Sequence, residues 1–263
     1  MIPEFRGLLS PGRPALGTWV KLPVADSVEM LATAGFDFVA VDMEHAPLDL
    51  PTVHRLLGTA RGCGIPALVR VPDRTASTIG RVLDSGAAGV LVPHVDNVDQ
   101  ALAAVAHTRF PPHGTRGYGP TVRAGRWGAD PHGYLEAAEQ SVAIPQMESP
   151  QAIAVVNAIA GVPGLGALFV GPADLAVATG LPASSTEFDR LLARVQEAAA
   201  THGVPLGTAV GNAAAAQALP DHYDFVLVGN DASMLADSGR GIVNDLRPDG
   251  VRVPATATAK DRP

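Results

Sequence analysis

The chain has 263 residues, 26 acidic against 19 basic side chains, a net charge of −7 and 47% hydrophobic residues. That suffices for one sizeable core, while the acidic balance without a Lys/Arg cluster excludes a nucleic-acid surface and a polybasic membrane patch and leaves small molecules as partners. The single cysteine, Cys63, excludes an internal disulfide and a cysteine-based zinc site, and fits a reducing cytoplasm.

Residues 1–13 read as a short lead-in, with Glu4 and Arg6 inside it and no apolar stretch of a signal peptide. A strand is predicted over 16–22, then a helix over 25–34 closed by Gly35. The second strand covers 36–41 and stops in Asp42-Met43-Glu44-His45; its helix runs from Pro51 to residue 60. Strand 66–71 and helix 75–85 follow, then strand 89–94 and a helix to residue 107 with Asn97 as N-cap. Between Phe110 and Tyr134 the periodicity gives way to a Gly/Pro/Arg-rich segment, long enough to suggest a lid or an oligomer contact. A short helix over 134–140, strand 142–147 and helix 150–159 come next. Strand 167–170 runs into Gly171-Pro172-Ala173-Asp174, then helix 187–201, strand 206–210, helix 213–219, strand 225–229 and a last helix from Ser233 toward Leu246. Residues 161–185 are nearly uncharged, but Pro163, Pro172, Pro182 and Asp174 forbid an uninterrupted membrane helix.

Eight short apolar runs alternating with helical segments predict a single-domain α/β protein, a (β/α)8 TIM barrel over residues 1–247, with a Pro/Ala/Thr-rich mobile tail over 248–263. A Rossmann fold would place Gly-x-Gly-x-x-Gly after the first strand, and this chain has none there.

In such barrels the chemistry collects at the C-terminal strand ends. Trp19 or Lys21, Asp42, Glu44, His45, Arg70, Gln146, Glu148 and Asp174 therefore belong to one mouth. Glu148 and Asp174 suit a hard divalent ion such as Mg2+ or Mn2+. Arg70 supplies fixed donors for a substrate carboxylate or a developing enolate. Singly, each has a plainer explanation: Glu148 answering a helix dipole, Asp174 capping a turn, Arg70 pairing with a surface acid. Together on one rim they make a site. The remaining histidines are assigned no role, although His94 closes the fourth strand and could line the mouth. Only two lysines exist, Lys21 and Lys260, and Lys260 lies in the tail, so carboxylate-held metal chemistry fits better than a Schiff base.

The segments Asp42-x-Glu44-His45-Ala46-Pro47, Val69-Arg70-Val71-Pro72, Phe110-Pro111-Pro112-x-Gly114-x-Arg116-Gly117, Gln146-Met147-Glu148 and Gly171-Pro172-Ala173-Asp174-Leu175 resemble the class II pyruvate aldolases, over about residues 17–235. The resemblance implies a barrel using a divalent metal (Mg2+, Mn2+ or Co2+) held by Glu148 and Asp174. It also implies Arg70 as substrate anchor, His45 and Asp42 as a catalytic pair, and a hexamer whose last helix crosses a subunit boundary. Trp19, Gln146, Gly171, Pro172 and Ala173 would hold the substrate. The implied reaction cleaves a 4-hydroxy-2-oxo acid to pyruvate and an aldehyde, as in aromatic-compound or sugar-acid catabolism. Two competitors remain at this level. One is an acyl-CoA lyase of the citryl- or malyl-CoA type, using Arg116, Arg123 and Arg126 for the nucleotide; the other is a non-catalytic barrel that binds a carboxylate.

Overall fold

The computed structural model describes residues 4–9 and 13–247; the predicted tail over 248–263 lies outside them. Eight parallel strands, β1 (Ala15–Val20), β2 (Phe38–Asp42), β3 (Ala67–Arg70), β4 (Gly89–Val92), β5 (Val142–Met147), β6 (Leu168–Val170), β7 (Leu206–Val210) and β8 (Phe225–Asn230), close in sequence order into a barrel. β1 pairs with β8 to complete the ring. The period of two along each strand sorts the residues. On β2, Phe38 and Ala40 face the barrel interior while Val39 and Val41 pack outward against the helices. The same alternation sends Leu68 inward and Val69 outward on β3, and Ile144 inward and Met147 outward on β5.

The interior is filled by rings at its lower levels, with Phe38 and Phe225 edge-on to Phe5 at centroid distances of 4.9 and 5.2 Å. Strand approach is close enough to require glycine at Gly89, where a Cβ would lie 2.2 Å from Val142 Cγ2 and 2.6 Å from the Val142 carbonyl.

The outer layer comprises α1 (Ala25–Thr33), α2 (Leu50–Gly62), α3 (Ala76–Asp84), α4 (Val98–Thr108), α5 (Pro131–Gln140), α6 (Pro150–Ala154), α7 (Val156–Ala160), α8 (Pro172–Thr179), α9 (Thr186–His202), α10 (Ala213–Gln217) and α11 (Asp231–Leu246). Two elements differ from the sequence expectation. The helix expected over 150–159 breaks at Val155 (φ −117°, ψ 13°), where two β-branched residues in succession disfavour helix continuity and Val156 turns inward. The stretch after β6, to which the sequence reading gave no element, is the helix α8, with Pro172 in its first turn and Gly180 left-handed at its end.

The segment between α4 and α5 does not cover the mouth. Arg116 lies buried against Asp84 at the end of α3, with Nη2 2.6 Å from Oδ1, and stacks over Phe110. Arg123 donates to the His54 and Ser85 carbonyls, and Trp127 packs edge-on to His54. The segment thus follows the outer ring along α2 and α3, and the lid expectation is not met for this chain's own mouth. No helix among the described residues is long and apolar enough to cross a membrane.

Candidate active site

Strand register places the site. Asp42 and Arg70 are Cα partners at the last rung of the β2–β3 pair, and parity turns both side chains inward above Ala40 and Leu68. Arg70 closes a fork on Asp42, with Nε 2.9 Å from Oδ1 and Nη2 2.6 Å from Oδ2. The Lys21 Nζ stands 3.0 Å from the same Oδ2. Asp42 Oδ1 also accepts the main-chain N–H groups of Glu44 and His45, each at 3.1 Å. Burial alone would raise the Asp42 carboxyl; Arg70, the His45 N–H and Lys21 outweigh it and hold the carboxyl down at about 2. Trp19 covers the Arg70 guanidinium, whose carbon lies 4.3 Å from the ring centroid.

His45 differs from the arrangement that the resemblance implies. Asp42 holds its main chain, while the half-exposed imidazole faces Glu44, with Nε2 3.7 Å from Oε2. The physical reason is saturation, since the Asp42 oxygens are already occupied by two cations and two amides. Asp42 thus holds Arg70, Lys21 and the His45 main chain, and the ring of His45 lines the cleft.

Glu44 and Glu148 were read from sequence as separate strand-end acids, and the fold brings both toward His94. Glu148 follows β5; its Oε1 accepts the His94 N–H at 2.7 Å and its Oε2 accepts from Gln146 Nε2. His94 lies 3.2 Å from Glu148 through Nδ1 and 3.3 Å from Glu44 through Nε2. Arg70 Nη1 approaches Glu44 at 3.3 Å. Burial raises the Glu44 carboxyl, Arg70 opposes this, and the charge of Glu148 adds to it. His94 is the residue that sequence reasoning left without a role; its only signal was its position after Pro93 at a strand end.

Asp174 sits in the first turn of α8, on the other side of Glu148. A Cβ built on Gly171 would lie 3.5 Å from Asp174 Oδ2 and 3.8 Å from Glu148 Oε2, so the two carboxylates flank the same bare backbone. A cleft of about 430 Å³ runs over this mouth, lined by Trp19, Lys21, His45, Arg70 and Gln146, by Gly171, Pro172, Ala173 and Asp174, and by Asn230 and Ser233 from the far side. Asp231, at the start of α11, fixes that far side by accepting the N–H groups of Lys21 at 2.8 Å and Leu22 at 3.2 Å. A larger cavity, about 550 Å³, lies elsewhere, between Arg61, Ala88, Ala124 and Ser141, and includes none of these groups.

The basic groove that a coenzyme A substrate would need is not at this mouth. Arg116 and Arg123 are committed to Asp84 and to main-chain carbonyls, and Arg126 pairs with Asp130 at 3.8 Å.

A closed parallel barrel whose C-terminal mouth gathers carboxylates, an arginine and imidazoles around one cleft is the architecture of a barrel enzyme. The chain belongs to the HpcH/HpaI aldolase/citrate lyase family, whose model matches residues 15–238. It is 39% identical over 241 residues to a 4-hydroxy-2-oxovalerate aldolase of Rhodococcus jostii (strain RHA1), covering 89% of this chain and 92% of that one. To a 5-keto-4-deoxy-D-glucarate aldolase of Enterobacter sp. (strain 638) it is 34% identical over 247 residues, 93% of this chain and 96% of the relative. The crystal structure of an HpcH/HpaI aldolase/citrate lyase family protein from Burkholderia cenocepacia J2315 superposes with a TM-score of 0.86 at 36% identity, covering 92% of this chain and 98% of that one. The chain is a lyase of the pyruvate-aldolase type.

Proposed function

We propose that this lyase reversibly cleaves a 4-hydroxy-2-oxo acid into pyruvate, or a close analogue, and an aldehyde, with a divalent cation held at Glu148 and Asp174. The observation that carries this is the convergence of Arg70, His45, Gln146 and Asp174 on one cleft beside Glu148. The donor set fits a hard cation: two carboxylates flank a glycine that leaves room between them, and the buried Oε1 of Gln146 has no hydrogen-bond donor among the described residues. When bound, such an ion acts as a Lewis acid on the keto oxygen of the substrate.

The protein groups supply the rest. Arg70, its plane fixed by Asp42 and covered by Trp19, turns its remaining donors toward the oxygen on which negative charge develops as the C3–C4 bond breaks. His45 takes the proton of the 4-hydroxyl, the oxygen's electron pair forms the aldehyde carbonyl, and the pair of the broken C3–C4 bond becomes the enolate of pyruvate. The enolate then gains a proton at C3. Gly171, Pro172 and Ala173 form the wall against which the 2-oxo acid lies, with main-chain donors at the start of α8 for its carboxylate.

The same proposal includes a homo-oligomer, a hexamer by resemblance. Its support is α11, where Leu235, Ile242 and Leu246 are 69%, 59% and 77% exposed along one amphipathic helix. A reducing compartment suits the exposed thiol of Cys63. The test is pyruvate release from a panel of 4-hydroxy-2-oxo acids, with and without chelator, alongside sedimentation analysis. Chelator-sensitive release supports the assignment, and no release from any member overturns it.

A further inference from the structure

Lys21 follows β1 with the same parity as Trp19, and the rung that pairs Val20 with Val41 sets it next to Asp42. Its Nζ lies 3.0 Å from Asp42 Oδ2, the oxygen that also accepts from Arg70 Nη2 at 2.6 Å. The side chain is 27% exposed and lines the cleft of about 430 Å³, while Asp231 anchors its main chain by accepting the Lys21 and Leu22 N–H groups. An ammonium has three donors. Among the described residues Asp42 is the one carboxylate within reach of this one, which leaves two donors for the cleft.

The neighbouring polar groups of the lining are committed. Gln146 donates to Glu148, Asn230 Oδ1 and Ser233 Oγ each accept the other's main-chain N–H, Asp237 pairs with Arg240, and Arg70 is shared between Asp42 and Glu44. Position then decides which part of a substrate meets Lys21. The ring runs β6, β7, β8, β1, so Lys21 stands almost opposite the wall of Gly171, Pro172 and Ala173 against which the 2-oxo acid lies. Arg70, on β3, lies between the two along the other side of the mouth. The half of the substrate beyond C4 therefore extends toward Lys21. An anion there is a carboxylate rather than a phosphate: barrels commonly hold phosphate after the seventh and eighth strands at a helix N-terminus, and here the N-terminus of α11 is closed by its own capping box and carries Asp231 in its first turn.

We propose that Lys21 determines which aldehyde this enzyme takes, its ammonium receiving a carboxylate at the far end of the aldehyde half. The preferred substrate is then a 4-hydroxy-2-oxo dicarboxylic acid, and in synthesis an aldehyde that bears a carboxylate. The inference rests on the aldolase reaction proposed above and deepens it by naming the class of aldehyde. A carboxylate gains a charge-assisted hydrogen bond from the free donors, whereas an apolar chain end displaces their water and returns no hydrogen bond.

The test is aldol synthesis from pyruvate with succinic semialdehyde and with butanal, two aldehydes of equal chain length that differ in the terminal carboxylate, with kcat and KM measured for each. The wild type is expected to favour succinic semialdehyde in kcat/KM. Lys21→Met keeps the length of the stem and removes the charge, and should lower that preference about tenfold or more, chiefly through KM for succinic semialdehyde. Lys21→Gln, neutral but still able to donate to Asp42, gives the same readout should Lys21→Met fold poorly, and Lys21→Arg should restore much of the preference. A wild type that favours butanal, or a preference unchanged in the neutral variants, overturns the inference. So do equal losses for both acceptors, which would assign Lys21 to holding Asp42 and Arg70. In these cases the aldolase itself stands. If the wild type condenses pyruvate with neither acceptor the inference falls, and the aldolase reading falls with it when no 4-hydroxy-2-oxo acid releases pyruvate.

Discussion

Asp42 and Arg70 occupy the same rung of adjacent strands and join through two parallel hydrogen bonds of 2.9 and 2.6 Å, fully enclosed in the barrel mouth. The pair aims one guanidinium plane at the cleft and holds the His45 main chain at the same time. Breaking a buried pair by removing one partner leaves an uncompensated charge, which typically costs about 3–5 kcal/mol. Asp42→Ala is therefore expected to lose stability on that scale in urea unfolding. Arg70→Lys keeps the charge but not the fork, and its steady-state kinetics should show a raised KM for the 2-oxo acid with a lowered kcat.

Gly171 has φ −98°, open to any residue, and an added Cβ would touch Glu148 Cβ at 3.6 Å and Asp174 Oδ2 at 3.5 Å without clash. Gly171→Ala should therefore fold with a nearly unchanged melting temperature yet bind divalent ions more weakly, because the methyl group fills the gap between the carboxylates. Equilibrium dialysis compared with thermal unfolding separates the two effects.

Glu148 is the acid that both flanks of the site share. A Lewis acid worth several kcal/mol corresponds to roughly a thousandfold in rate. Glu148→Gln should lower kcat by about that factor, and saturating metal should not restore it. Chelation of the wild-type enzyme should match this loss and reverse when metal is returned.

Gly89 tests the packing of the barrel itself. A Cβ there meets the Val142 backbone, which cannot move without disturbing the β4–β5 ladder. Gly89→Ala is expected to cost about 2–3 kcal/mol in chemical denaturation.

Tyr134 reports on the outer segment. Its hydroxyl donates to Asp84 Oδ1 at 2.6 Å, and burial first, then this bond, push its pKa up to about 12. The folded state keeps the proton longer than the unfolded chain, so this stability is complete below pH about 10 and is lost as pH rises through about 12, a decline of about 2–3 kcal/mol. In Tyr134→Phe that decline should vanish, with about 1 kcal/mol lost at pH 7. Unfolding free energies measured from pH 8 to 12 provide the check.

The alternation of short apolar runs with helical periods carried the barrel, and two strands, β5 and β7, match their predicted bounds. Residues placed after such runs, among them Arg70, Gln146, Glu148 and Asp174, could be assigned to one mouth because parallel strands in a closed barrel all end on the same side. The helix α8 was hidden by its Gly-Pro opening, although Pro172 in the first turn and Gly180 at its end were its signals.

By itself, then, the sequence determined the barrel, the face that bears the site and the side chains that reach it, since these follow from local periodicity and from where each run stops. Only the tertiary structure decided who partners whom. Asp42 holds Arg70 and Lys21 rather than the His45 ring, and His94 turns between Glu44 and Glu148, because strand register and one left-handed backbone angle set contacts between residues far apart in the chain.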